Sequence, residues 1–571
     1  MIVPDLRVIE LIAFYILQWL GYPATADRIL SMIGIEIHWA ILQYVLGLPF
    51  IALVAQLIYF KTRDEDWLKL SRTLVKGFAI VFAVGAAMGT ASEFGLVLLW
   101  PNLTEAAGRY IYFPLYAEIF AFLIEITFIY MLWFGWRKLP PRARLVVTLI
   151  AMLGAWYSAA MIMSVNSYMV APTGIYAAYD PARGWLYDEG YPKVLLFVPN
   201  DIVNLLDVDK LVSLGMEVKG TASDSVVVLL PSSIVQRLVY EAWNNYKVKD
   251  SILTLIVKPE VANNKELLET PMKKVLDVIL VNTVRHVGVY TVTFQSPVYV
   301  ASFLHALGAA ITVSSITVMA GYSLRIAKGR SDDYVKKAFK FAATLGLVSI
   351  VVQGLVFGHM MRVSIAHNNP EKLAAIEGTS KSIVSLSRLT GMDKIMPLLA
   401  YGRASAKLPV YDEIPENYCQ LQGAENKAIT TCRPPLLIHY LYYSKLGLSV
   451  LLGIDLLLVV FYLFKSGEVP IYLVKLNATS PVIAQLVSFL GWAVREIGRK
   501  PWTIYGVMTV DVAHTANPPG LGEVVVVAAL AEPGVAESVP EPWRSIIAEV
   551  CDLTKANVLS TEPGLVILTV L

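Results

Sequence analysis

The chain has 571 residues, 56% of them hydrophobic and 16% charged, with a mean hydropathy of +0.58. Soluble domains average about 45–50% apolar and about 25% charged residues, so an array of water-soluble domains is excluded and an integral membrane protein is indicated. Forty-seven basic residues against 45 acidic ones (net +2) give no footprint for nucleic acid, and three cysteines exclude a disulfide scaffold or a four-thiolate zinc site.

From the N-terminus, an apolar run at 8–20 carries Glu10 and lacks both a basic start and a small-residue cleavage site. It is expected to form an interfacial helix within 1–32, not a signal peptide. A bilayer-crossing helix needs about 20 mostly apolar residues. Eight stretches qualify: 33–60, 74–100, 111–136, 146–171, 297–326, 338–365, 434–464 and 470–494. Basic residues gather in the loops after spans 1, 3 and 5, at Lys61, Arg63, Lys69, Arg72 and Lys76, at Arg137, Lys138, Arg142 and Arg144, and at Arg325, Lys328, Arg330, Lys336 and Lys337. Such loops stay in the cytoplasm. The expectation is a multi-pass protein of the cell (plasma) membrane, in contact with lipid, with its N-terminus extracytoplasmic.

The expected fold is an all-α integral membrane helix bundle of about eight (eight to nine) transmembrane helices. Spans 1–4 fall in 33–175, spans 5–6 in 297–366 and spans 7–8 in 434–508. Residues 176–296 alternate short apolar runs (193–199, 225–231, 251–259) with a helix-like stretch at 264–286, which suggests a small extracytoplasmic α/β insertion. Residues 367–433, on the same side, hold Cys419 and Cys432, either a disulfide on an oxidising face or two free thiols. The segment 509–571 has no 20-residue apolar run. With eight crossings it lies outside, with nine inside.

Ionisable groups within spans are costly and therefore mark function. His38 in span 1 and His305 in span 5 lie near the outer boundary, where span 8 also ends in GWAVREIGRKPW, with Trp492, Glu496 and Arg499 on one face. Span 3 carries Glu118 and Glu125, two helical turns and about 10 Å apart on one face. Two imidazoles and a carboxylate at one depth suit iron in porphyrin held between helices, and stacked carboxylates suit a proton relay. The blander readings are an interhelical hydrogen-bonding histidine and a transporter cavity. His286 and His514 fall in soluble pieces, and His359 and His439 have no role that spacing assigns.

Several motifs, in order, resemble the catalytic subunit (subunit I) of cytochrome bd-type quinol oxidases. They are Arg28 ten residues before His38, then GTASEFGLVLLWP, FPLYAEIFAFLIEITFIYMLWFGW, LPPRARL, NSYMVAPTG, FLHALGAA, GHMMRVSIAHNNPEKLAAIEG and GWAVREIGRKPW. The resemblance covers 25–175, 297–378 and 435–508. It implies two hemes b and one heme d, with His38 and Glu496 as axial ligands of the high-spin pair and His305 as a ligand of the low-spin heme b. It also implies that Lys372 and Glu377 take part in quinol oxidation in a quinol-binding loop at 367–433, and that Glu118 and Glu125 form the proton path. Arg28, Glu93, Asn166, Trp492 and Arg499 would support the cofactors, and a second membrane subunit, homologous to this chain or unrelated, would complete the oxidase.

The sequence departs from the family in span 7. The family has an arginine closely followed by the methionine that completes low-spin heme ligation. Here Lys445 takes the arginine's place and Gly447 the methionine's. That leaves a five-coordinate heme, a substitute ligand such as His439, or no heme; the retained His305 favours altered coordination. The family's GRQPW signature reads GRKPW here, and its ninth span has no counterpart. The primary expectation is quinol oxidation on the outer face with dioxygen reduced to water and protons drawn from the cytoplasm. The others are a homologous non-catalytic or electron-entry partner subunit of such an oxidase and a heme-free transporter.

Overall fold

Backbone in lipid must satisfy its own hydrogen bonds, so long apolar runs can only be helices. The computed structural model describes residues 25–243, 251–264, 267, 292–420 and 431–513. The run at 8–20, most of 509–571, His286, His514 and most of 264–286 lie outside the described residues, as do the side chains of Arg28 and Glu93.

Four helices open the bundle: α1 (Thr25–Thr62), α2 (Glu65–Leu99), α3 (Pro101–Gly135) and α4 (Pro141–Val170). Pro101 and Pro141 sit in the first turns of α3 and α4, where the missing N–H costs no helical hydrogen bond. A small domain follows. Its sheet runs β1 (Ile175–Tyr176), β4 (Lys193–Pro199), β6 (Ser225–Pro231) and β5 (Glu217–Thr221), with every pairing antiparallel. A separate hairpin joins β2 (Tyr179–Asp180) and β3 (Gly184–Trp185). The two strand-like apolar runs are thus β4 and β6, the sheet's central pair, and α5 (Ser232–Trp243) covers them. The third run, 251–259, is helical instead. Glu241 of α5 accepts hydrogen bonds from the Ile252 and Leu253 N–H groups, and Ser251 accepts from that of Thr254, so the free donors of a helix start are satisfied.

The second half of the bundle begins with α6 (Tyr299–Ala327). Next comes a long span made of α7 (Asp333–Val352), a π-helical turn (Gln353–Phe357) and α8 (Gly358–Asn368). After the short α9 (Pro370–Glu377), α10 (Leu437–Lys465) crosses. The last span is broken: α11 (Ile471–Asn477) and α12 (Ser480–Ile497) meet at 41°. Pro481 in the first turn of α12 interrupts the ladder, and the Ser480 and Thr479 hydroxyls take up the freed Asn477 and Leu476 carbonyls. Seven described helices are long and apolar enough to cross a membrane, and the bent pair makes eight, in line with the sequence.

One apolar core runs through α1, α2, α3, α4, α6, α7 and α10 and reaches α12 at Ala484. A second joins the sheet domain to Trp100, Leu103, Val165 and Tyr168 at the ends of α2–α4. It includes the hairpin β7 (Trp502–Ile504) and β8 (Met508–Thr509), so the inserted domain is seated on the bundle end that also carries the 369–433 loop.

The α1–α6 crossing depends on Gly47, where an added Cβ would lie 2.6 Å from the Ala310 carbonyl oxygen, a backbone atom that cannot swing away. Gly47→Ala is expected to destabilise the bundle by about 1–3 kcal/mol. Gly447→Ala, which meets nothing within 4 Å, should stay within about 0.5 kcal/mol of the parent. Thermal unfolding in detergent, followed by tryptophan fluorescence, compares the two.

Candidate functional site

The site is built around a cavity of about 260 Å³ walled by α6, the π turn, α8, α9, α10 and α12. His305 of α6 faces it. The Gln353 amide nitrogen lies 3.1 Å from His305 Nδ1 and donates to the His305 carbonyl at 2.8 Å. This approach needs Gly308, because a Cβ there would come within 2.6 Å of Phe357 Cδ2. The π turn is what brings Gln353 to the histidine, and such turns are frequent at functional sites. Gln353 Oε1 is buried without a hydrogen-bond partner.

Above the cavity, α9 is buried at every position from Pro370 to Glu377. Lys372 points inward and donates to the Arg495 carbonyl at 3.1 Å. Glu377 accepts from Ser387 Oγ (2.7 Å) and Tyr443 OH (3.1 Å), and it lines the cavity together with Lys372 and His305. Burial holds the Lys372 amine well below its ordinary 10.5, at about 7. Repulsion from Arg495 adds to this, Glu496 opposes it, and Arg499 and Lys445 add further repulsion. Burial also raises Glu377, with Ser387 and Tyr443 partly offsetting it.

The second constellation surrounds Glu496. Its Oε1 accepts from Asn166 Nδ2 (3.0 Å) and its Oε2 from Arg499 Nη2 (2.5 Å). Arg495 donates to Asn166 Oδ1, Ser302 and Ser167, tying α12 to α4 and α6. Trp39 stacks on Trp492 at 5.3 Å, so His38 and Glu496 occupy neighbouring levels of packed helices. Gly89 of α2 presses on His38, where a Cβ would lie 2.8 Å from Cε1. His38 Nδ1, Trp492 Nε1, two Arg499 guanidinium nitrogens and both Glu36 oxygens are buried without partners. Among the described residues no three His, Cys, Asp or Glu side chains cluster to hold a bare ion. Single ligands, stacked indoles and orphaned cationic donors instead fit flat macrocycles with anionic edges.

On α3 both glutamates face α4, as their spacing requires. Glu118 Oε1 accepts from Ser158 Oγ at 3.0 Å. Glu125 is 4% exposed, with one oxygen unpartnered and its Cγ against Gly154.

A family model described as cytochrome bd terminal oxidase subunit I matches residues 27–193 and 278–531. The chain belongs to that family. It is 33% identical over 144 residues to a putative cytochrome bd menaquinol oxidase subunit I of Bacillus subtilis, covering 25% of this chain and 32% of that protein. It is 32% identical over 147 residues to the cytochrome bd-II ubiquinol oxidase subunit 1 of Escherichia coli, covering 26% and 29% respectively. The aligned stretches thus span about a third of these curated relatives. The solved bd oxidase of Geobacillus thermodenitrificans matches the fold with a TM-score of 0.58 at 19% identity, over 94% of this chain and 98% of that one.

Placed in this subunit I fold, two open questions of the sequence close. Cys419 and Cys432 are bridged. His439 is no substitute ligand: its Nδ1 bonds the Ile376 carbonyl (2.7 Å) and its Nε2 accepts from the Leu386 N–H (2.8 Å), so both nitrogens are committed to the loop. The sequence reading missed Arg495, Glu36 and Glu371. Arg495 and Glu36 each break an apolar run within two residues of a candidate ligand, which is the signal that would have found them. Glu371 gathers the Tyr187, Tyr418 and Tyr505 hydroxyls from three distant segments, and no local pattern announces it.

Between pH 7 and 10.5 the folded state has lost the Lys372 proton that the unfolded chain keeps. The cost of burying this charge is therefore full below pH 7 and fades as pH rises toward 10.5. Lys372→Met should be more stable than the parent below pH 7, with the gap closing across that window. A gap independent of pH in thermal scans would show Lys372 to be solvated.

Proposed function

We propose that this chain oxidises quinol at the loop-bearing end of the bundle and passes the electrons to a dioxygen-reducing site within it. The observation that carries the reading is one cavity that gathers His305 with Lys372 and Glu377, a candidate iron ligand beside candidate quinol residues. His305, His38 and Glu496 would hold the irons of two hemes b and one heme d, and both Glu496 oxygens keep lone pairs beyond their two hydrogen bonds. Heme iron, once bound, supplies one-electron transfer and oxygen chemistry.

The chain's own groups do the rest. Glu377 is positioned to accept a quinol hydroxyl proton, and Lys372, held near neutrality at about 7, to donate a hydrogen bond to the quinol oxygen. Buried α9 and the sheet domain exclude water from that step. Glu125 lies deeper from the loop end than Glu118, so the pair can hand protons upward from the lysine-rich end, which the charge pattern makes cytoplasmic. Arg499 and Trp492 offer donors to anionic edge groups, and Arg28 is assigned by resemblance alone. In this reading the N-terminus and residues 176–296 and 367–433 are extracytoplasmic, the latter forming the quinol-binding loop. A second membrane subunit and the surrounding lipid cover the exposed apolar faces. A partner lacking activity has no use for two carboxyl groups in one span, Glu118 half-buried and Glu125 buried, and this favours the catalytic reading.

The deciding experiment combines pyridine hemochrome quantitation, a CO difference spectrum and quinol-driven oxygen uptake on the purified protein. Three hemes with a CO-reactive chlorin band support the proposal; one heme or fewer, with no uptake, would refute it. Glu125→Gln should lower oxygen uptake by about 10²-fold, the scale of a lost proton-transfer group, with the heme spectrum unchanged. Unaltered uptake at full heme loading would remove Glu125 from the path.

A further inference from the structure

Three cations on spans, Arg362, Lys445 and Arg495, line the cavity beside His305, and Arg362 bonds the Tyr442 hydroxyl. Arg495 is spent on Asn166, Ser302 and Ser167. Lys445 is different. Among the described residues its amine has no hydrogen bond and no ion pair, and the nearest carboxylate in the cavity wall, Glu377, bonds Ser387 and Tyr443 instead. Its stem lies over Gly491, where a Cβ would come 3.3 Å from both Cε and Nζ, so the glycine makes the room the lysine occupies. An unpartnered amine within a bundle is costly and asks for a ligand.

The face of α10 turned to the cavity is Tyr442, Lys445, Leu446, Ser449 and Leu452, a helical i, i+3, i+4, i+7 row. Gly447 is not on it and abuts nothing. Alignment had put the missing methionine there, but the donor that span 7 presents to the cavity is Lys445. It also lies at the right level. His305 is six residues into α6 and Lys445 eight into α10, about 9 and 12 Å from the shared loop end. α6 packs on α7, the π turn, α8 and α12, while α10 packs on α7, α9 and α12 and so faces α6 across the cavity.

The competing donors are engaged or misplaced. Met163 lies on α4, which packs on α6, the helix that carries His305. His439 has both nitrogens in the loop. Met361 accepts the Ser302 hydroxyl and lies on α8, on the same wall as His305. The Tyr442 hydroxyl bonds Arg362.

We propose that the Lys445 amine is the iron ligand opposite His305, replacing the sulfur ligand of the family's seventh span. The assignment rests on the heme reading above. On binding, the ammonium loses one proton to water and its lone pair forms the nitrogen–iron bond; no electron is transferred. Because methionine with histidine raises a heme's potential, a nitrogen pair sets this heme lower than a methionine ligand would.

The test uses the purified holoprotein and three variants, Lys445→Met, Lys445→Ala and Lys445→Arg, each checked for heme content. The readouts are low-temperature EPR and near-infrared magnetic circular dichroism of the ferric state, CO binding of the ferrous state, and the midpoint potential. The parent should show a low-spin nitrogen-pair signal. Lys445→Met should replace it with a sulfur-to-iron band and raise the potential; Lys445→Ala and Lys445→Arg should turn the heme high-spin and CO-reactive. A parent-like low-spin signal in Lys445→Ala and Lys445→Arg would reduce Lys445 to a counter-ion and overturn the ligand assignment while leaving the oxidase standing. A parent in which this heme is already high-spin overturns it likewise. A folded parent without heme overturns both.

Discussion

Charge buried between helices organises this molecule, and the Arg495 guanidinium is where its parts are joined. Through Asn166, Ser302 and Ser167 it ties α12 to α4 and α6, and its own backbone carbonyl receives Lys372 from the loop. Asn166 holds Arg495 with its oxygen and Glu496 with its amide nitrogen, so one side chain sets the positions of both. Charge-assisted hydrogen bonds of this kind are short and directional. They align four elements that apolar packing alone would leave free to slide.

Lys372 links that network to the loop, which further contacts fasten to the bundle. A helix as short as α9 has little stability of its own. Pro370 starts it and Gly378, at φ 60°, ends it. Below the glycine lies His439, so close that a Cβ at 378 would be 2.7 Å from its ring. His439 in turn clasps the Ile376 carbonyl and the Leu386 amide. Farther out, the Cys419–Cys432 bridge and the tyrosines around Glu371 press the loop onto the hairpin β7–β8. Lys372 and Glu377 are thereby presented to the cavity by a scaffold fastened at both ends.

The spans were legible because lipid leaves a 20-residue apolar run only one conformation, and β4 and β6 because both are short apolar runs edged by proline. Glu118, Glu125, His38, His305 and Glu496 stood out because an ionisable group in such a run has a cost that demands a reason. What stayed hidden depends on contacts between distant segments. Nothing near His439 in sequence announces Leu386, 53 residues away. The π turn leaves no mark in QGLVF, since it arises where Gly308 lets another helix approach. The run at 251–259 took helix over strand because Glu241, ten residues upstream, supplies the acceptor for its first N–H groups.

Those hidden contacts also decide which face of a helix is functional, and span 7 shows why alignment alone misjudges this. Matching residues one to one placed Gly447 at the missing methionine. Two residues along a helix is a rotation of about 200°, which turns a side chain to the opposite wall. The cavity selects the row containing Lys445, and Gly491 on the facing helix is shaped to admit it. A glycine on one span and an amine unpaired among the described residues on another together describe one packing solution. The change in span 7 therefore leaves a donor turned to the cavity, not the simple loss of a side chain.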